Sequence, residues 1–136
     1  MPSATPRLLE GLRILIVEDE PDTLSFLSLM LKQQGVVVQA ARSADEAMRS
    51  LDSREADILV SDIGMPGEDG FDLIRRVRTR EVALGLKPMA AIALTAYAGE
   101  DHRQRALADG YHAHLAKPAE PTELLALLAS LAPAVG

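Results

Sequence analysis

Ala56-Asp57-Ile58-Leu59-Val60-Ser61-Asp62, running on into Ile63-Gly64-Met65-Pro66-Gly67-Glu68-Asp69-Gly70, decides how this chain is read. An apolar run of strand length, Ala56–Ser61, is followed by a carboxylate and then a Gly/Pro-rich loop. That is the pattern of a strand buried on both faces. Three further apolar runs end the same way: Leu12–Val17 on Glu18-Asp19, Met89–Leu94 on Thr95, and Tyr111–Ala116 on Lys117. In a parallel α/β sheet such carboxyl ends share one edge, the edge where these sheets place their sites. Three carboxylates, a hydroxyl and an ammonium are therefore expected in one shallow pocket.

Helical segments separate the runs. Residues from Pro21 to Gln34 place Leu24, Leu27 and Leu31 on one face, with Pro21 tolerated in the opening turn and Gly35 closing the helix. Val36–Ala40 is β-branched and reads as a strand. Ser43 with Glu46 three residues later forms a capping-box signature before Ala44, Ala47, Met48 and Leu51. A third helix carries Phe71, Ile74 and Val77, and a weakly amphipathic fourth spans Gly99 to Ala108. The last runs from Pro121 to Leu131 with Leu124, Leu127, Leu128 and Leu131 as its stripe. This alternation predicts an α/β fold, a (βα)5 doubly wound parallel sheet with helices on both faces. Residues 12–132 are expected to form that domain, with 1–11 as a tail or linker and 133–136 as a short end. No output domain is expected on this chain.

With 136 residues, 48% apolar and 25% charged, the chain has the composition of one globular domain rather than a disordered segment. No apolar stretch approaches the ~20 residues a membrane-spanning helix needs. Membrane insertion is not expected, and no secretory signal is evident. The absence of cysteine excludes a disulfide framework and a thiolate metal site. A cytoplasmic setting follows as the default expectation. The net charge of −6 and the four Tyr and Phe residues argue against direct nucleic acid binding. The basic run Arg75-Arg76-Val77-Arg78-Thr79-Arg80 reads as a solvated helix face.

Taken alone, Asp62 is an N-cap, an ion-pair partner or a nucleophile. Its expected neighbours bear on that choice. Glu18 and Asp19 would crowd Asp62, and like charges that close need a cation among them. An all-oxygen set suits Mg²⁺, with Asp19 and Asp62 as ligands and the backbone carbonyl of Gly64 as another. Lys117 and Thr95 add a positive charge and a hydroxyl donor. The combination suits phosphoryl transfer, where catalysis is mostly positioning and charge neutralisation. Asp62 is then the nucleophile that becomes an acyl phosphate. A haloacid-dehalogenase-like phosphatase needs a second acid two residues after its nucleophile, and Gly64 stands there. A flavodoxin-like electron carrier needs a hydroxyl- and Gly-rich loop after the first strand, where Glu18-Asp19-Glu20 would repel a flavin phosphate.

Four motifs, in this order, carry a resemblance: Ile14-Leu15-Ile16-Val17-Glu18-Asp19-Glu20-Pro21, Leu59-Val60-Ser61-Asp62-Ile63-Gly64-Met65-Pro66, Leu94-Thr95-Ala96 and Lys117-Pro118. The chain resembles the receiver domain of a two-component response regulator from about Leu12 to Leu131. The resemblance implies the flavodoxin-like strand order 2-1-3-4-5 and a cis peptide before Pro118. It implies a phosphoryl group taken by Asp62 from the phosphohistidine of a histidine kinase or histidine phosphotransfer domain. Mg²⁺ (or Mn²⁺) would be the cofactor, with Glu18 contributing through water. A downstream output protein or domain would read the surface of the fourth helix, fifth strand and fifth helix. The domain would catalyse its own phosphorylation without being a dedicated enzyme. Slow autodephosphorylation is expected, because Gly64 and Ala96 supply no general base. A module of the same fold that never uses phosphate is the competing reading.

Two departures from the family pattern stand out. Glu68 occupies the loop position where methionine is common, and is expected to be exposed. His114 replaces the aromatic switch residue three before the lysine. Together with Thr95 it is the expected switch pair, with an imidazole in place of the aromatic ring. His112 and His114, two residues apart, are weak evidence for a metal site. The segments Leu9-Glu10-Gly11-Leu12-Arg13, Ser61–Gly70 and Ala93-Leu94-Thr95-Ala96-Tyr97 resemble receivers at the carboxyl end of hybrid histidine kinases.

Overall fold

The apolar runs pair as one parallel sheet. In the computed structural model, which describes residues 9–65, 67–96 and 100–132, the strands are β1 (Arg13–Val17), β2 (Val37–Ala41), β3 (Ile58–Asp62), β4 (Ala90–Thr95) and β5 (Ala113–Ala116). They stand in the order β2-β1-β3-β4-β5. The helices are α1 (Pro21–Lys32), α2 (Ala44–Ser53), α3 (Gly70–Leu84), α4 (Glu100–Asp109) and α5 (Pro121–Leu131). The tail expected over 1–11 and the end over 133–136 fall largely outside the described residues, as does the Tyr97–Gly99 connection. Leu9 is described and buried, and packs with Leu12 against α1.

Each central strand is apolar along its middle because its successive side chains enter two different cores. Ile14, Ile16, Ile58, Val60, Ile92 and Leu94 point to the side covered by Leu24, Leu27 and Leu31 of α1 and Leu124 and Leu128 of α5. Leu15, Val17, Leu59, Ala91 and Ala93 point to the other side, under Ala47 and Leu51 of α2, Phe71, Ile74 and Val77 of α3, and Ala106 of α4. A one-residue slip of any strand would exchange the two sets, so the register is strongly specified.

Local chemistry sets the element ends. Glu20 caps α1, its carboxylate accepting from the Asp22 amide, with Pro21 in the first turn. Ser43 caps α2 by accepting from the Glu46 amide at 3.1 Å, but the returning Glu46 carboxylate accepts from Arg42 rather than from Ser43. A reciprocal capping box forms instead at α3, between Asp69 and Asp72. All five strands start later than their apolar runs, β3 and β5 by two residues and the others by one. Asp57 lies outside β3 because its carboxylate accepts from the Arg13 amide and guanidinium, fastening β1 to the chain before β3. Tyr111 lies outside β5 because its amide closes α4 on the Ala106 carbonyl.

The basic run on α3 is matched by acids. Arg75 pairs with Asp72 and Asp109, Arg76 with Asp45 and Glu68, and Arg80 with Asp52. Arg78 departs from the solvated-face expectation. It is half-buried and donates to the Gly110 and Met89 carbonyls and to the buried Glu81 carboxylate.

Candidate functional site

Register brings the four strand ends together as a staircase. Val17 stands beside Ser61, so Glu18 follows β1 next to Asp62. Asp62 stands beside Leu94, with Thr95 one residue further. Thr95 stands beside Ala116, with Lys117 next. The strand order turns back between β1 and β3, which opens a crevice at their carboxyl ends.

Asp62 is almost wholly buried, at 4% exposure, and Thr95 at 2%. The Lys117 ammonium lies 3.0 Å from Glu18 Oε1 and 3.3 Å from Asp62 Oδ1. The other Glu18 oxygen accepts from the Glu20 amide at 3.0 Å. Carboxylate oxygens of Glu18, Asp19 and Asp62 all lie within 4.8 Å of one another. Burial raises the pKa of Glu18, with the Asp62 charge adding to it and the Glu20 amide and Lys117 opposing it. Burial also works against the Lys117 charge, but its hydrogen bond to Glu18 and the Asp62 carboxylate outweigh that and hold its pKa above the ordinary value. One ammonium thus serves two acids, and the acidic excess at this edge is the electrostatic setting for a divalent cation.

The structure brings Glu18, Asp19, Asp62, Thr95 and Lys117 to one cleft, which Gly64, Asp69 and Ala96 also line. Gly64 takes part through its amide, which donates to Asp62 Oδ1 at 3.1 Å. The Lys117–Pro118 peptide is cis. His114 lies on β5, beside Ala93 of β4. Its Nε2 is buried without a hydrogen-bond partner among the described residues. His112 is not part of this edge. It precedes β5, and its Nδ1 accepts from the Ala91 amide at 3.1 Å and lies near Arg78. The two histidines therefore do not share a site. Glu68 is exposed, as its position in the loop led one to expect, and accepts from Arg76.

Two supporting residues escaped the strand-end pattern. Gly70 packs so tightly on the backbone of Asp62 and Ile63 that a Cβ there would meet the Asp62 carbonyl oxygen at 2.5 Å. Tyr111, fully buried, donates from its hydroxyl to the Gly70 carbonyl at 2.7 Å. A tyrosine directly after the Asp109-Gly110 stop was the available signal for that brace.

Residues 14–129 match the response regulator receiver domain family. The chain belongs to that family. Among individual relatives, an uncharacterised 14.6 kDa protein of Leptolyngbya boryana is 47% identical over 115 residues, covering 85% of this chain and 86% of that protein. The virulence transcriptional regulatory protein PhoP of Salmonella typhimurium is 34% identical over 88% of this chain. This chain spans about half of PhoP's length, 51%. The crystal structure of a putative response regulator from Chloroflexus aurantiacus superposes with a TM-score of 0.81 at 30% identity, covering 90% of this chain and 98% of that one. The fold of this chain, with its 2-1-3-4-5 sheet, is thus shared with the Chloroflexus structure, and the acidic cluster lies at the sheet edge where such folds place their sites.

Proposed function

We propose that this receiver domain accepts a phosphoryl group on Asp62 from a phosphohistidine of a histidine kinase or phosphotransfer domain in the cytoplasm. The observation that carries the reading is the position of Lys117, bonded to Glu18 and 3.3 Å from Asp62 beside a cluster of three carboxylates. Asp62 Oδ attacks phosphorus, the phosphorus–nitrogen bond breaks, and the imidazole leaves with the electron pair and is reprotonated from solvent. The Gly64 amide and Lys117 orient the attacking carboxylate, and Lys117 and Thr95 provide donors for phosphoryl oxygens as charge moves onto them.

The donor set fits a hard divalent cation: all oxygen, clustered within 4.8 Å and in acidic excess. Asp19, Asp62 and the Gly64 carbonyl would hold it, with Glu18 acting through water. When bound, Mg²⁺ (or Mn²⁺) supplies neutralising charge on the phosphoryl oxygens.

The donor must bring its histidine to Asp62, so its surface has to cover the rim of the cleft. A groove of about 490 Å³ shares Lys117 with the cleft and runs between α1 and the turn before α5, lined by Phe26, Leu27, Pro118 and Ala119. Phe26 is 53% exposed there. We assign the groove to the histidine-bearing helix of the donor. For output, Thr95 and His114 form the switch pair beside the surface of α4, β5 and α5. The unsatisfied Nε2 of His114 supports this, since a buried polar atom without a partner costs about 1–3 kcal/mol and favours a second arrangement that satisfies it.

Incubation with acetyl phosphate and Mg²⁺ is expected to label the wild type, and Asp62→Asn to abolish the label. Chelation by EDTA is expected to suppress it in the wild type. A labelled Asp62→Asn protein would sink the assignment.

A further inference from the structure

We propose that Arg105 is the rim cation of the phosphoacceptor cleft and draws doubly charged small phosphodonors toward Asp62. The proposal rests on the phosphoacceptor reading and adds a donor preference to it. The cleft that holds Asp62, Thr95 and Lys117 is also lined by Phe71 and Arg105. Arg105 comes from α4 rather than from a strand end, which is why strand-end reasoning does not reach it. Its guanidinium carbon lies 3.9 Å from the centroid of the Phe71 ring. Phe71 is buried in the core, so the ring is a fixed platform.

The other anchor of Arg105 is weak. Its Nε is 3.7 Å from Asp109 Oδ2, beyond hydrogen-bond length. The same carboxylate oxygen already accepts from Arg75 at 3.3 Å. A guanidinium stacked on a ring keeps its N–H edge available, and that edge matches the oxygens of a phosphate.

Charge decides what such a group does here. Glu18, Asp19 and Asp62 cluster at the cleft, and Asp69 lines it. Lys117 and Arg105 are the two cations among the described lining residues. Lys117 is already bonded to the acids. An acyl phosphate carrying two negative charges is repelled by this edge, and Arg105 at the rim is the group that offsets the repulsion within a Debye length of about 8–10 Å. Phosphoramidate, with one net negative charge at neutral pH, depends on it less. In both reactions an Asp62 oxygen attacks phosphorus. With acetyl phosphate the phosphorus–oxygen bond breaks and acetate leaves with the electron pair. With phosphoramidate the phosphorus–nitrogen bond breaks and ammonia leaves from its already protonated nitrogen.

The test compares the second-order phosphorylation rates of the full chain with the two donors and Mg²⁺. Arg105→Gln is expected to slow acetyl phosphate roughly three- to ten-fold and phosphoramidate less than about two-fold. Arg105→Lys is expected to keep the acetyl phosphate rate within about two-fold, and raising salt to about 0.5 M to close the gap between wild type and Arg105→Gln. Arg105→Met, which keeps an unbranched chain over Phe71, must show the same donor split, so a folding defect in Arg105→Gln does not decide the matter. Equal slowing with both donors, a gap indifferent to salt, or no slowing overturns the role of Arg105. A wild type labelled by neither donor overturns the phosphoacceptor reading instead.

Discussion

Gly70 shows how narrowly Asp62 is held. It opens α3, its amide donates to the Ile63 carbonyl, and its Cα faces the backbone of Asp62. A methyl group at Gly70 would meet Asp62 O at 2.5 Å and Ile63 Cα at 2.7 Å, and backbone on both sides cannot move aside cheaply. Gly70→Ala is therefore expected to cost about 1–3 kcal/mol in urea unfolding and to slow phosphate uptake by displacing Asp62. Gly64→Ala makes the contrast, since a Cβ there meets nothing within 4 Å. It should leave the unfolding midpoint close to wild type. Equal losses at Gly64 and Gly70 would mean that loop flexibility, not close approach, is what both glycines provide.

At the scale of elements, β5 joins the sheet partly through His112, just ahead of the strand. Its amide donates to the Ala91 carbonyl and its Nδ1 accepts from the Ala91 amide, so the imidazole must be unprotonated at Nδ1. Burial, followed by the nearby Arg78 charge, lowers its pKa below the ordinary 6.5. The sign follows from linkage. Between the lowered folded pKa and the unfolded value the unfolded chain binds more protons, so stability is fully present above about 6.5 and falls as pH drops toward the folded pKa. His112→Asn keeps an acceptor that does not titrate in this range. Thermal melts from pH 8 to 5 should show wild type losing ground to His112→Asn below about pH 6.5. Parallel curves would place the acid sensitivity elsewhere.

For the whole molecule, the consequential asymmetry lies between the two sides of the cleft. The Phe26 groove borders Lys117 on the α1 side, while Arg105 and Phe71 border the cleft on the α3–α4 side. On the proposed docking, a protein donor would cover the first, whereas a small donor would need only the cleft. Phe26→Ala is expected to lower phosphoryl transfer from a phosphohistidine protein by roughly ten-fold, the effect of losing an interface anchor worth about 1.4 kcal/mol. Labelling by acetyl phosphate should stay unchanged in the same variant. A matching loss with both donors would show that Phe26 supports the cleft rather than the partner.

The periodicity of this chain was sufficient for the sheet and its helices, because every central strand must be apolar on two faces and every helix on one. The reactive residues were legible for a related reason. In a parallel sheet the end of an apolar run is also the edge of the sheet, so Asp62, Thr95 and Lys117 announce themselves as the polar residues that end those runs. What the sequence could not contain was distance. That one ammonium would serve both Glu18 and Asp62, that Tyr111 would brace Gly70, and that His112 would turn to Ala91 while the Nε2 of His114 met no partner among the described residues are outcomes of packing between segments far apart in the chain. Arg105 belongs with them, since nothing in the sequence of α4 tells that its sixth residue reaches over a ring on α3 to the rim of the cleft. The local pattern determined which chemistry lies at the strand ends. Tertiary packing alone decided which charges there are already satisfied and which remain to meet a ligand.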